Sequence, residues 1–222
     1  MATELHMRFD LIVFDWDGTL IDSAGAIVDC IQAACRDLGL PVPDEERAAH
    51  VIGLGLADAL SYAVPGLPPS EYRSVAERYR HHFLLRDPQI PLFEGTAGML
   101  EELHDRGHIL AIATGKSARG LVRALETTGV GRYFASSRCA DQCASKPAPD
   151  MLQELMEELT VSPEATLMVG DTVHDLQMAA NAGVAALAVS HGAHPRDKLL
   201  ALDPVACVDS TEELQRWLRE NA

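Results

Sequence analysis

Two carboxylates stand two residues apart in Asp15-Trp16-Asp17-Gly18-Thr19, directly after the apolar run Leu11-Ile12-Val13-Phe14. An acid delivered where a buried strand gives out can attack phosphorus, splitting a slow ester hydrolysis into two easier displacements. The second acid can protonate the leaving oxygen and then activate water. Both steps need negative charge to be offset. Asp15, Asp17 and Asp171 can supply oxygen ligands to a hard divalent cation, and Lys146 can neutralise charge on the phosphoryl oxygens. Thr114, with the amides that open the following helix, adds neutral donors.

These groups are spread over much of the chain, so the fold must gather them. Leu11 to Phe14 reads as a short buried strand ended by the turn at Gly18-Thr19. Asp22 and Ser23 offer an N-cap to an amphipathic helix carrying Ile27, Cys30, Ile31, Ala34, Cys35 and Leu38, which Gly39 stops. From Pro41 to Pro91 only helical stretches appear, broken by Gly53-Leu54-Gly55, by Pro65 to Pro69 and by Asp87-Pro88. This predicts an all-helical insertion. From Leu92 onward helices (96–105, 119–127, 150–159 and 211–218) alternate with strands (108–113, 133–135, 166–169, 184–189 and 205–208). That rhythm predicts an α/β fold, a parallel sheet wrapped on both faces. Parallel strands present their carboxyl ends on one edge, which would bring Asp15, Asp17, Thr114 and Asp171 into one crevice. Lys146, in Ser145-Lys146-Pro147-Ala148-Pro149, sits in a loop that prolines stiffen before a helix.

Composition narrows the possible partners. The 222 residues are 47% hydrophobic and 23% charged, ordinary for a soluble globular protein, and no apolar run reaches the roughly 20 residues of a membrane span. Met1 to His6 carry an acid and lack both a basic start and an apolar stretch, so no secretory leader is expected. With 33 acidic against 18 basic residues the formal charge is -15, which disfavours nucleic acid and anionic membranes as partners. A small anionic substrate would need a locally positive site. Five cysteines without C-x-x-C spacing point to a reducing, cytoplasmic setting, and Cys139 and Cys143 have no further His or Cys nearby to complete a metal site.

Four segments in order, Asp15-Trp16-Asp17-Gly18-Thr19, Thr114-Gly115-Lys116, Lys146-Pro147 and Gly170-Asp171-Thr172-Val173-His174-Asp175, resemble the signature of the haloacid dehalogenase superfamily, in its phosphoglycolate phosphatase branch. The likeness continues through Leu20 to Ser23, Pro147 to Pro149 and Ala179 to Gly183. It implies a Rossmann-like core with a five-stranded parallel sheet, formed by residues 1–20 and 92–222, and a helical cap at 21–91. It further implies Asp15 as nucleophile, Asp17 as acid and base with its carbonyl on Mg²⁺, Asp171 as a metal ligand, and Asp175 as a metal ligand through water or a residue just behind the direct ligands. Gly18, Thr114, Gly115 and Lys146 would surround the phosphoryl group. Dehalogenases lack the second acid of the first segment and phosphonatases have alanine there, so Asp17 directs the expectation to phosphate esters.

The implied substrate is a small phosphorylated metabolite, phosphoglycolate first, and the implied enzyme a monomer or homodimer. A phosphomutase of the β-phosphoglucomutase type shares these segments, as do hydrolases of other sugar phosphates, nucleotides or pyrophosphate. A silent regulatory binder would have no use for both Asp15 and Asp17. Among the remaining residues, His50 to Leu56 resembles the loop that reads the leaving group in relatives. The cap cations Arg47, Arg73, Arg78, Arg80, His81, His82 and Arg86 read mostly as solvated helix faces. His174 reads as a partly exposed helix start, His191 and His194 as a polar loop, and Asp22 and Ser23 as helix caps.

Overall fold

The computed structural model describes residues 9–222, so the reading of Met1 to His6 lies outside the described residues. Strand β1 (Leu11–Phe14) is buried on both sides, as its unbroken apolar sequence requires. Helix α1 (Ala24–Asp37) follows, then α2 (Glu45–His50), α3 (Leu56–Ala63) and α4 (Tyr72–Arg86). After α5 (Thr96–Asp105) come β2 (Ile109–Thr114), α6 (Ala118–Thr128), β3 (Phe134–Cys139), α7 (Asp150–Leu159), β4 (Thr166–Gly170) and α8 (Val173–Ala182). The chain ends through β5 (Ala185–Val189), α9 (Arg196–Leu200), β6 (Ala206–Val208) and α10 (Thr211–Asn221).

The sheet is parallel throughout, ordered β3-β2-β1-β4-β5-β6. It has six strands where the resemblance implied five, because the three-residue β6 pairs with β5 at the edge, Val189 opposite Val208. Strand β1 lies between β2 and β4, with Phe14 level with Ile112 and Val169. The chain first builds outward on one side of β1 and then returns to build on the other. The carboxyl ends of β1, β2 and β4 therefore border the reversal of strand order, the place where open α/β sheets form a crevice.

Alternation along the strands sorts the core into two layers. Ile12, Phe14, Ile112 and Val169 join Met99, Leu100, Leu121 and Leu214 on one face, while Leu11, Val13, Ala113 and Met168 meet Met151, Leu155 and Met178 on the other. Burying each large aliphatic side chain contributes about 1.5–3 kcal/mol, which ties both helical layers to the central strands. A further cluster lies among α1 to α4. Its members include Ile27, Val28, Ile31 and Cys35 from α1, Ala48 from α2, Leu60 and Ala63 from α3, and Val75 and Phe83 from α4. Among the described residues no helix is long and apolar enough to cross a membrane. All five cysteines are free; Cys143 Sγ lies 3.8 Å from the Cys139 carbonyl.

Candidate active site

Asp15 continues β1 beyond its last paired residue, and its amide donates to the Val169 carbonyl at 2.9 Å. That bond carries the acid past the edge of the sheet while its backbone remains fixed. The chain then turns back at Gly18, whose φ of +85° suits glycine. A β-carbon there would stand 2.3 Å from Asp171 Oδ2, so only glycine lets the first loop lie against the end of β4.

Asp171 is fully buried, with Thr19 Oγ1 donating to its Oδ1 and the Ala193 amide to its Oδ2, both at 2.7 Å. Asp175 comes from the first turn of α8, and the local sequence fixes its aim. In Thr172-Val173-His174-Asp175 the Thr172 hydroxyl accepts from the Asp175 amide, while the Thr172 amide donates back to Asp175 Oδ2 at 3.0 Å. This capping box occupies Oδ2 and leaves Oδ1 facing the crevice, 2.6 Å from Lys146 Nζ.

Lys146 is itself 1% exposed and donates to Asp15 Oδ1 at 2.7 Å. Its loop is pinned at several points. Asn181 Nδ2 donates to the Pro147 carbonyl at 2.9 Å, and Ser145 Oγ accepts from the Gly55 amide at 2.6 Å. Attraction to Asp15 and Asp175 outweighs the cost of burying the ammonium, so Lys146 stays charged.

Two carboxylates, Asp15 and Asp175, hold that one cation, and Asp171 lies beside them without touching it. Burial is the largest cause that raises the Asp15 carboxyl, to about 7, against the attraction of Lys146. Burial, reinforced by Asp15 and Asp175, pushes Asp171 up as well. Asp15 Oδ2 is buried without a hydrogen-bond partner, and oxygens of Asp15, Asp171 and Asp175 lie within 4.8 Å of one another. Excess negative charge, hard oxygen donors and an orphaned buried oxygen fit a divalent cation of the Mg²⁺ class.

Asp17 faces the other side of the crevice. Ser23 Oγ donates to its Oδ1 at 2.8 Å, and Lys116 Nζ reaches both of its oxygens at 2.9 and 3.0 Å. Ser23 occupies the N-cap position of α1 but makes no capping bond there; its hydroxyl is spent on Asp17 instead. Thr114 ends β2 fully buried, and its hydroxyl accepts from the Lys116 amide at 3.2 Å. At Gly115, a β-carbon would come 2.6 Å from the Gly53 carbonyl oxygen and 2.9 Å from that of Leu54. The loop between α2 and α3 thus rests directly on the end of β2.

A second group of contacts holds that same loop. His174 Nε2 and His194 Nε2 both meet the His50 carbonyl, at 2.7 and 3.3 Å. A carbonyl only accepts, so both rings donate there. The Val173 amide donates to His194 Nδ1 at 3.0 Å, which fixes the proton of that ring on Nε2. The three imidazoles come within 4.8 Å, but His194 has both nitrogens engaged in this way and has no lone pair to offer an ion. Burial drives His194 down to about 4, so the ring is neutral at neutral pH. His194 is 3% exposed, and the polar-loop reading of it is corrected. His191 is half-buried, with its ring 4.3 Å from that of Phe93 and Nε2 3.3 Å from the Thr19 carbonyl.

The fold thus gathers Asp15, Asp17, Thr114, Lys146, Asp171 and Asp175 at one edge, with Gly18 and Gly115 at the close approaches. Lys116, Ser23, Ser145, Thr19 and His194 join them without having been singled out as site residues from sequence. The Thr172-x-x-Asp175 spacing carried a readable signal; the others are united only by the folding of distant segments. Arg73 and Arg86 face solvent and pair with Glu77 and Asp29.

Comparison with known proteins agrees with this geometry. Residues 12–189 match the haloacid dehalogenase-like hydrolase family. The chain belongs to that family. A relative described as probable phosphatase IndB of Dickeya dadantii is 37% identical over 210 residues, covering 92% of this chain and 91% of its own. The phosphoglycolate phosphatase of Vibrio parahaemolyticus is 30% identical over 213 residues, covering 92% and 93% respectively. Among solved structures, a hydrolase from Pseudomonas syringae superposes with a TM-score of 0.87 at 19% identity, covering 96% of this chain and 98% of the other, and shares the fold.

Proposed function

We propose that this haloacid dehalogenase-like protein is a Mg²⁺-dependent phosphatase that hydrolyses a small phosphomonoester, phosphoglycolate first among candidates, through an aspartyl phosphate on Asp15. The observation that carries the reading is the Asp15 carboxylate: one oxygen is held by Lys146, the other is unpartnered, and both are buried at the edge where β1, β2 and β4 end. Family membership and the phosphatases among its relatives support it.

Asp15 attacks phosphorus as the bond to the ester oxygen breaks, and Asp17 gives that oxygen its proton. Asp17 then takes a proton from a water whose oxygen attacks the aspartyl phosphate, releasing phosphate and restoring the Asp15 carboxylate. Lys146, the Thr114 hydroxyl and the Gly115 amide hold the phosphoryl oxygens through both displacements. Thr19 and the Ala193 amide orient Asp171, and Thr172 orients Asp175, so that with Asp15 and the Asp17 carbonyl they would hold the cation. When bound, that cation would lessen the repulsion between the nucleophile and an anionic ester. Residues 21–91 would serve as a cap over this edge, and the enzyme would work in the cytoplasm as a monomer or homodimer.

The test is phosphate release from the purified protein with Mg²⁺ across phosphoglycolate, hexose phosphates, nucleotides and pyrophosphate. Asp15→Asn is expected to lower release by about a thousandfold or more, and chelation of the metal to abolish it. Activity that survives Asp15→Asn would remove Asp15 as the nucleophile. A phosphate moved within the substrate rather than released would make the protein a mutase.

A further inference from the structure

Lys116 is a second lysine at the site, and its circumstances differ from those of Lys146. Its side chain is 11% exposed, its ammonium is paired with both Asp17 oxygens, and the Phe83 ring of α4 lies 4.6 Å from Nζ. An ammonium placed so far from water depends on its counter-charge. Under the reading above, Asp17 has other work: its carboxyl must turn toward the ester oxygen, and any such rotation breaks part of the bidentate contact. Lys116 would then stand beside the leaving group short of a partner.

The other cations of this part of the molecule are engaged elsewhere. Lys146 is held between Asp15 and Asp175, Arg47 donates to the Tyr62 carbonyl, Arg86 pairs with Asp29, and Arg123 pairs with Asp87. Nor is the space beside Lys116 generous, since the carbonyls of Gly53 and Leu54 press on Gly115, the residue before it.

We propose that Lys116 is a specificity-determining residue that pairs with an anionic group carried by the leaving group within one or two atoms of the ester oxygen, such as a carboxylate or a second phosphate. The inference rests on the proposed phosphatase reading and names the substrate class within it. A leaving group of this kind replaces the charge that Asp17 withdraws; a neutral alkyl leaving group of the same size does not.

The experiment compares kcat/KM for phosphoglycolate, pyrophosphate and ethyl phosphate in the wild-type enzyme, Lys116→Met and Lys116→Arg. Wild-type enzyme is expected to prefer an anionic leaving group, and whether phosphoglycolate or pyrophosphate leads identifies the anion. In Lys116→Met the preference over ethyl phosphate should shrink about 50-fold, the range of a lost hydrogen bond to a charged group, and Lys116→Arg should keep most of it. A role confined to holding Asp17 would slow all three substrates alike and leave the ratio intact, which overturns the inference. A wild-type ratio near one overturns it too. Should the methionine variant not fold, Lys116→Gln gives the same ratio test. If the wild-type enzyme releases phosphate from none of the three while hydrolysing other phosphate esters, the phosphatase reading stands and the inference falls. If it hydrolyses no phosphate ester at all, both fall.

Discussion

Charge is handled in opposite ways at the sheet edge and on the helices above it. Asp15, Lys146, Asp171 and Asp175 are each at most 1% exposed, and their carboxylates outnumber the cation. On α4 the Arg73 and Glu77 side chains are 89% and 58% exposed and form a matched i,i+4 pair in water. Water screens the second arrangement, so it contributes little to stability. The first is expensive to assemble, because desolvation acts on every member and unequal charge leaves part of that cost unrelieved. Clusters of this kind, desolvated and unequal in charge, concentrate at binding and reaction sites in folded proteins.

The contrast is broken most forcefully at Lys146. Replacing it by methionine leaves the carboxylates without their cation, and phosphate release should fall about a thousandfold or more while melting shifts far less than activity. Equal losses of activity and folding would mean that the cluster is chiefly structural. Metal affinity gives the next largest effect. Asp15 titrates at about 7 in the fold against an ordinary 3.8, and protonated carboxyls do not bind a cation. Mg²⁺ affinity should therefore rise with pH, by about tenfold per unit below 7 where one proton is displaced, as read by calorimetric titration.

The same shift sets the sign of stability. Its contribution is present in full below 3.8 and is lost as pH climbs to about 7, so metal-free protein should melt lower across that window and Mg²⁺ should restore the loss at its upper end. A flat metal affinity would contradict the burial that raises Asp15. Smallest of all is the effect expected on the helices: Arg73→Ala should move neither the melting temperature nor kcat/KM measurably. A resolvable loss in either would show that the exposed pair does more than face solvent.

Much of the sheet edge was legible in the sequence because each of its parts is local. Four apolar residues followed by an acid and the Gly18-Thr19 turn mark the end of a strand here, and the α5 and α7 boundaries follow from their periodicity. The sixth strand was readable in Val205 to Val208, although the family resemblance implied five. What could not be read is joint. Ser23 looks like a helix cap because the local signal for a cap is the hydroxyl itself, and only the loop bringing Asp17 within 2.8 Å claims it for another purpose. His194 looks solvated because its neighbours are Gly192, Pro195 and Arg196; its burial comes from His50 and Val173, both distant in sequence. Lys116 stands inside a recognised segment, yet nothing local says that its ammonium would reach back to the first loop.

The contact between Gly53 and Gly115 is a boundary built of backbone. Backbone touches backbone there, so no side chain can rotate aside to open a path, and substrate or product passing on that side must wait for the whole α2–α3 loop to lift. A loop that had to lift in every cycle would make turnover sensitive to the viscosity of the medium, even though the bonds made and broken at phosphorus are unaffected.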